Sequence, residues 1–275
     1  MSDAVGFQLL AAARDGHISE VSSLLRDNPG FNINWGNDEG WTALHVASLN
    51  GQAEVVKLLL ARPRIDVTKK ELFGNTPILL SCDEGHISVV RLLLKDPRVD
   101  VALGNRGRTP LWYASRKGHR EVVEWFIESG RELGDIKNEK GRNGRDGKDY
   151  TSLEIARDEG ETEVVSLLER LIANPALTRH ELRLKLGMLD ELAAAVFALT
   201  VFLCDELLQL KPAPLDSPDT AAHATRFFAI AERLPMELQM IMCHCAVGST
   251  KQNILRKDSE AAFKSLTRIV LSSPP

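Results

Sequence analysis

TALHVASLNGQAEVVKLLL, residues 42–60, decides the reading, because the chain says it again. TPILLSCDEGHISVVRLLL follows from Thr76, TPLWYASRKGHREVVEWFI from Thr109 and TSLEIARDEGETEVVSLLE from Thr151. The four threonines stand 34, 33 and 42 residues apart. A divergent fifth copy, FQLLAAARDGHISEVSSLL, begins at Phe7 without the extended segment that precedes the others, as a terminal cap would. A sustained period of this size marks small supersecondary units that stack because none can bury its apolar face alone.

One unit can be built from its residue types. Thr42, Thr76 and Thr109 are placed to cap a short helix, and Pro77 and Pro110 stand at the first helical position, where no amide donor is lost. Small residues inside that helix (Ala47, Ser81, Ala114) let the next unit approach closely. A glycine at 51, 85, 118 or 160 then supplies the left-handed turn that ends it. The second helix sets Val55, Leu58 and Leu59, or Val122, Phe126 and Ile127, on one stripe. Asp66-Val67-Thr68 and Asp100-Val101-Ala102 lead out into an extended finger.

With Thr-Pro-Leu-His-x-Ala, then Gly-His, then Val-Val-x-Leu-Leu as its signature, the chain resembles the ankyrin-repeat family from Phe7 to about Asn174. The resemblance implies an all-α solenoid of helix-turn-helix units with hairpin fingers. Five repeats fall near 6–38, 39–73, 74–106, 107–149 and 150–175, so an array over 1–175 precedes a helical domain at 176–275. It also implies that a protein or extended peptide docks on a concave face made by finger tips and first helices. By register, the fingers give that face Trp35, Trp41, Phe73, Arg106 and Arg108. The first helices give it Asp83, Glu84, Trp112, Arg116, Lys117, Asp158 and Glu159. Exposed Trp and Arg dominate many interfaces, which makes Trp41, Trp112 and Arg108 the preferred anchors. Trp112 stands where the family has histidine, and packing between repeats is its alternative role. In the family the other motif histidines, at 17, 45, 86 and 119, hold loops and neighbouring repeats. The helix-end pairs Asp83-Glu84, Arg116-Lys117 and Asp158-Glu159 alternate in sign and invite inter-repeat ion pairs.

The spacing of 42 places about nine extra residues in ELGDIKNEKGRNGRDGKDY, 132–150, which reads as a solvated, flexible basic finger. Its Gly141, Gly144 and Gly147 do not make a phosphate loop, for want of a strand-to-helix turn around them. In the carboxy-terminal domain helices are expected at 178–186, 190–210, 218–233, 235–247 and 259–271, with a proline-marked linker near 211–218. LPMELQM at 234–240 is similar to a tail of fungal-type ankyrin proteins and to the opening of the F-box. The second likeness implies an alternative: residues 232–271 presenting an ankyrin-bound substrate to a ubiquitin ligase.

Composition excludes several classes. With 34 basic and 38 acidic residues and a formal charge of −4, the chain is no bulk polyanion binder, so nucleic acid is not an expected partner. Four scattered cysteines fit reduced thiols better than a disulfide framework. Cys243-His244-Cys245 lacks the second ligand pair of a structural zinc site. The amino terminus has no signal-peptide pattern, and no stretch reaches the ~18 apolar residues of a membrane span. A cytoplasmic or nuclear monomer is expected, without cofactor, metal or catalytic activity, since no catalytic motif is present.

Overall fold

The computed structural model describes residues 2–131, 133, 136, 138–188, 193–199, 236–246, 254 and 262. The chain divides into two compact units, Met1–Arg179 and His180–Pro275.

The first unit is a stack of helix pairs: α1 (Ser2–Asp15) with α2 (Ile18–Asp27), α3 (Ala43–Leu49) with α4 (Ala53–Leu60), α5 (Pro77–Glu84) with α6 (Ile87–Lys95), α7 (Pro110–Arg116) with α8 (Arg120–Glu128), and α9 (Ser152–Asp158) with α10 (Thr162–Ala173). Each first helix packs on the first helices before and after it, and each second helix does likewise. The core is therefore a ribbon between two rows of helices, formed by Leu44, Leu59, Ile78, Leu93, Leu111, Phe126, Ile155 and Leu168, all at most 1% exposed. Each such side chain stabilises the fold by about 1.5–3 kcal/mol through burial. This is an all-α solenoid; its described strands are only β1 (Gly141–Arg142) and β2 (Asp149–Tyr150).

The helix pairs owe their tight spacing to the glycine between them. Gly51 and Gly85 have φ of +70° and +76°, which L side chains rarely adopt. A Cβ there would also lie 2.7 Å from His86 Nδ1 or 2.6 Å from His119 Cε1. The bare backbone makes room for that ring, and the ring spends its Nε2–H on the previous repeat. His86 donates to Leu49 O (2.8 Å) and His119 to Asp83 O (3.0 Å). Gln52 makes the equivalent bond to Arg14 O at 2.9 Å. His17, in the first of these helix pairs, is exposed and lies 3.5 Å from Glu20.

The caps differ from expectation at one helix. Thr42, Thr109 and Thr151 accept from the amides of His45, Trp112 and Glu154, but Thr76 makes no cap bond, and its buried hydroxyl finds no partner. Leu79 stands where His45 holds the Thr42 hydroxyl, and an alkyl chain offers that oxygen nothing.

The described part of the insertion carries a short hairpin. β1 and β2 pair antiparallel, Gly141 with Tyr150 and Arg142 with Asp149. Asn143 is 2% exposed; its amide donates to Lys148 O, and its side chain accepts from Arg145 N. Beyond the array, α11 (Pro175–Lys185) starts where Asn174 Oδ1 accepts from Leu177 N, while the Asn174 backbone amide donates to Arg170 O, so this residue closes one helix and opens the next. Residues 193–199 and Met236–Ala246 are helical, with Ala193, Ala194, Phe197, Ala198 and Cys243 buried. The expected helix at 218–233, that at 259–271 except Ala262, the linker near 211–218 and most of 190–210 lie outside the described residues.

Candidate partner-binding face

The register places the twelve candidate residues on fingers and first helices, and their surroundings sort them. Trp112 is a correction. It is 1% exposed and cannot anchor a partner. Its indole Nε1–H donates to Tyr150 O at 3.0 Å, just as His45 Nε2 bonds Asn75 O at 3.2 Å. Asn75 and Tyr150 each precede the threonine at the start of the next repeat's first helix, so the tryptophan does the histidine's work with a longer ring. Trp35 is largely committed as well. It lies edge-on to Phe7 (centroids 5.1 Å apart), covers the bare face of Gly6, and donates from Nε1 to Asp3 Oδ1 (3.1 Å). Trp41 is half-buried and meets His45 edge-on at 6.1 Å.

The finger between the second and third repeats presents what sequence reasoning partly missed. Leu72 and Phe73 are 69% and 67% exposed at its tip. Glu71 beneath them is buried, and its carboxylate accepts from Phe73 N (2.7 Å), Asn75 N (2.9 Å) and Asn75 Nδ2 (2.8 Å). The tip is further tied to its neighbours: Leu72 N donates to Glu39 O, and Asn105 Nδ2 donates to Phe73 O at 2.7 Å. Phe73 was legible from register; Leu72 could have been found as the second apolar residue of a turn closed by Gly74.

Beside it, Arg106 is exposed with φ +54°, a left-handed conformation normally left to Gly, Asn or Asp. Asn105 and Arg108 close this two-residue turn by a pair of backbone bonds at 3.0 Å each. Arg108 and Arg116 lie 5.4 and 5.6 Å from the Tyr113 ring centroid, a cation–π arrangement that fixes both guanidinium groups. Burial pushes the Tyr113 phenol up, and the arginines act against that. Lys117 and Glu84 are exposed, with no ion pair among the described residues.

The alternating charges pair only in part. Arg116 Nη2 donates to Asp83 Oδ1 at 2.9 Å. Glu159 is taken by the inserted finger, with Arg145 Nη1 on both its oxygens at 2.9 and 2.7 Å. Asp158 faces Tyr150, whose hydroxyl donates to Asp146 (2.7 Å) and Asp158 (3.4 Å). The bond to Asp146 is the main reason the Tyr150 phenol is pushed up to about 12.

Comparison with known proteins agrees with the repeat geometry. A family model described as "Ankyrin repeats (3 copies)" matches residues 7–71 and 63–137. Residues 7–137 are ankyrin repeats. The Notch-regulated ankyrin repeat-containing protein of Xenopus laevis is 45% identical over 51 residues, 18% of this chain and 45% of that protein. The chain thus matches less than half the length of that relative. Residues 150–173 lie beyond the matched ranges; there Thr151 caps α9 through the same reciprocal bonds by which Thr42 caps α3, and α9 and α10 continue the stack of helix pairs.

Ankyrin repeats as a family mediate protein–protein interaction and are typically non-catalytic. No helix among the described residues is long and apolar enough to cross a membrane, and none of them groups three or more metal-capable side chains. The segment 232–271 of the F-box alternative is described only at 236–246, 254 and 262.

Proposed function

We propose that this chain is a non-catalytic interaction module that holds a protein partner, or an extended segment of one, on the surface formed by its finger tips and first helices. One observation carries the reading. Leu72 and Phe73 stand exposed on a tip whose backbone is fixed by a buried carboxylate, so their apolar surface is displayed without freedom to fold away. Pre-ordering of that kind lowers the entropy lost on binding. Arg106 and Arg108, on the turn whose Asn105 bonds Phe73 O, make the same neighbourhood basic, which favours a partner with apolar side chains flanked by carboxylates. Phe73, Leu72 and Arg106 replace Trp112 as anchors, with Arg108 and Trp41 at their margin.

A photo-crosslinking side chain at position 73 tests this, with one at Lys57, exposed on α4, as control. In source cells position 73 is expected to give a discrete adduct that Lys57 does not, and Phe73→Ser with Arg106→Gly should reduce recovery of the same partner at least tenfold. Equal adducts from the two positions, or unchanged recovery by the folded double variant, would remove the assignment.

A further inference from the structure

Arg64, Arg98 and Arg131 occupy one register position, each 22 residues after its threonine at 42, 76 or 109. Two of the three do the same thing. Arg98 donates to Leu60 O (2.8 Å) and Arg62 O (3.4 Å) at the end of α4. Arg131 donates to the corresponding Leu94 O (3.3 Å) and Asp96 O (3.1 Å) at the end of α6, and also to Val99 O. Unpaired carbonyls and the negative end of the helix dipole collect at such an end, so a guanidinium is doubly suited to it.

Arg64 makes no such bridge to the end of α2. Asn28 terminates α2 unaided: its amide and Nδ2 both donate to Leu24 O (3.2 and 2.9 Å), and its carbonyl accepts from Phe31 N (3.0 Å). The Arg64 guanidinium has no hydrogen bond or ion pair among the described residues, and neither has that of Arg62. Both line an open cleft of about 380 Å³ whose remaining walls include Leu25, Phe31, Ile33 and Pro63. No acidic side chain lines it. Two unmatched guanidinium groups over an apolar floor are complementary to carboxylates carried next to an apolar side chain. Guanidinium is also the side-chain cation best shaped to grip a carboxylate with two bonds.

We infer that this cleft, between the ends of the first two repeats' second helices, is a separate docking site for an acidic segment of a partner protein that inserts one apolar side chain. It shares no residue with the finger-tip surface and stands or falls independently of it. The apolar walls distinguish the occupant from a free anion, and the volume suits a few residues rather than a folded surface.

The test titrates the full chain with two blocked tetrapeptides, Glu-Leu-Asp-Phe and its amide isostere Gln-Leu-Asn-Phe, following the Leu25 and Ile33 methyl and Arg64 Nε–H resonances. The acidic peptide is expected to give saturable shifts at these groups and none at Phe73, with affinity at least tenfold above that of the isostere. Arg62→Gln with Arg64→Gln should abolish that preference. Both side chains are exposed and bond nothing through their guanidinium groups, so the double variant is expected to melt with the wild type. Were it to melt early, the two peptides on the wild-type chain would still decide the matter. Equal affinity for acid and amide peptides, binding unaffected by the double variant, or shifts centred on Phe73 would each overturn the assignment. Matching shifts from inorganic phosphate at equal concentration would also overturn it, by reducing the cleft to a simple anion contact.

Discussion

His45 shows how one side chain ties together chemistry, packing and pH. Its Nδ1 accepts from the Thr42 hydroxyl (2.8 Å) and amide (3.3 Å), and its Nε2 donates to Asn75 O, so the fold uses the neutral ring. The ring is fully buried, and desolvation is the largest cause of its lowered pKa, with its bonds to backbone and the Glu71 charge opposing. Below the ordinary value of ~6.5 the unfolded chain takes up a proton that the folded ring resists. The stabilisation is thus complete above that value and lost as pH falls from there through the lowered folded one. Urea unfolding of wild type and His45→Gln between pH 7.5 and 5 checks this: the gap between them should narrow on acidification. A gap that widened would mean that the folded ring is charged. Trp112 does the same bridging with a group that does not titrate. Trp112→Phe keeps most of the ring but strands the Tyr150 carbonyl, and should cost about 1–3 kcal/mol in the same assay at every pH.

At the scale of the helix, the capping threonines look equivalent in sequence and are not equivalent in energy. Thr109 and Thr151 each satisfy an orphan amide at a helix start, so Thr109→Val and Thr151→Val should each lose about 1 kcal/mol. The Thr76 hydroxyl is buried and unpartnered, so Thr76→Val removes a burden and should be neutral or stabilising. Denaturation midpoints of the three variants decide; a loss at Thr76 equal to the others would mean that this hydroxyl does bond. The same contrast shows what the sequence could reveal. The repeated threonines, glycines and Val-Val-x-Leu-Leu runs placed the helices because propensity, capping and periodicity agree there. Whether Trp112 faced solvent or the core turned on the carbonyl of Tyr150, 38 residues away, which no local pattern reports. The arginine bridges at Arg98 and Arg131 were equally hidden, because their partners are backbone carbonyls without a sequence signature. Phe73 could be placed on a finger by register, but its exposure depends on Glu71 folding beneath it.

Over the whole array, stability is approximately a sum of unit and interface contributions, since the described helix pairs pack chiefly on their neighbours. Position along the stack should therefore decide how far a defect spreads. Leu9 in α1 and Leu111 in α7 are both buried, at 3% and 1% exposure, and removing either side chain to Ala should cost about 2–5 kcal/mol locally. Leu9 belongs to a terminal repeat, whose loosening leaves the stack from α5 to α10 with its interfaces intact. Leu111 sits in a first helix packed against both α5 and α9, so its loss weakens two interfaces at once. Amide exchange distinguishes the cases: Leu9→Ala should lower protection mainly in α1 to α3, whereas Leu111→Ala should lower it from α5 to α10. If both variants lowered protection evenly from α1 to α10, the repeats would be opening as one block, and the bridges from Arg98 and Arg131 would be the first suspects. Arg98→Met and Arg131→Met in the Leu9→Ala background would then restrict the loss to the terminal repeats, because those arginines donate across successive repeats at the ends of α4 and α6.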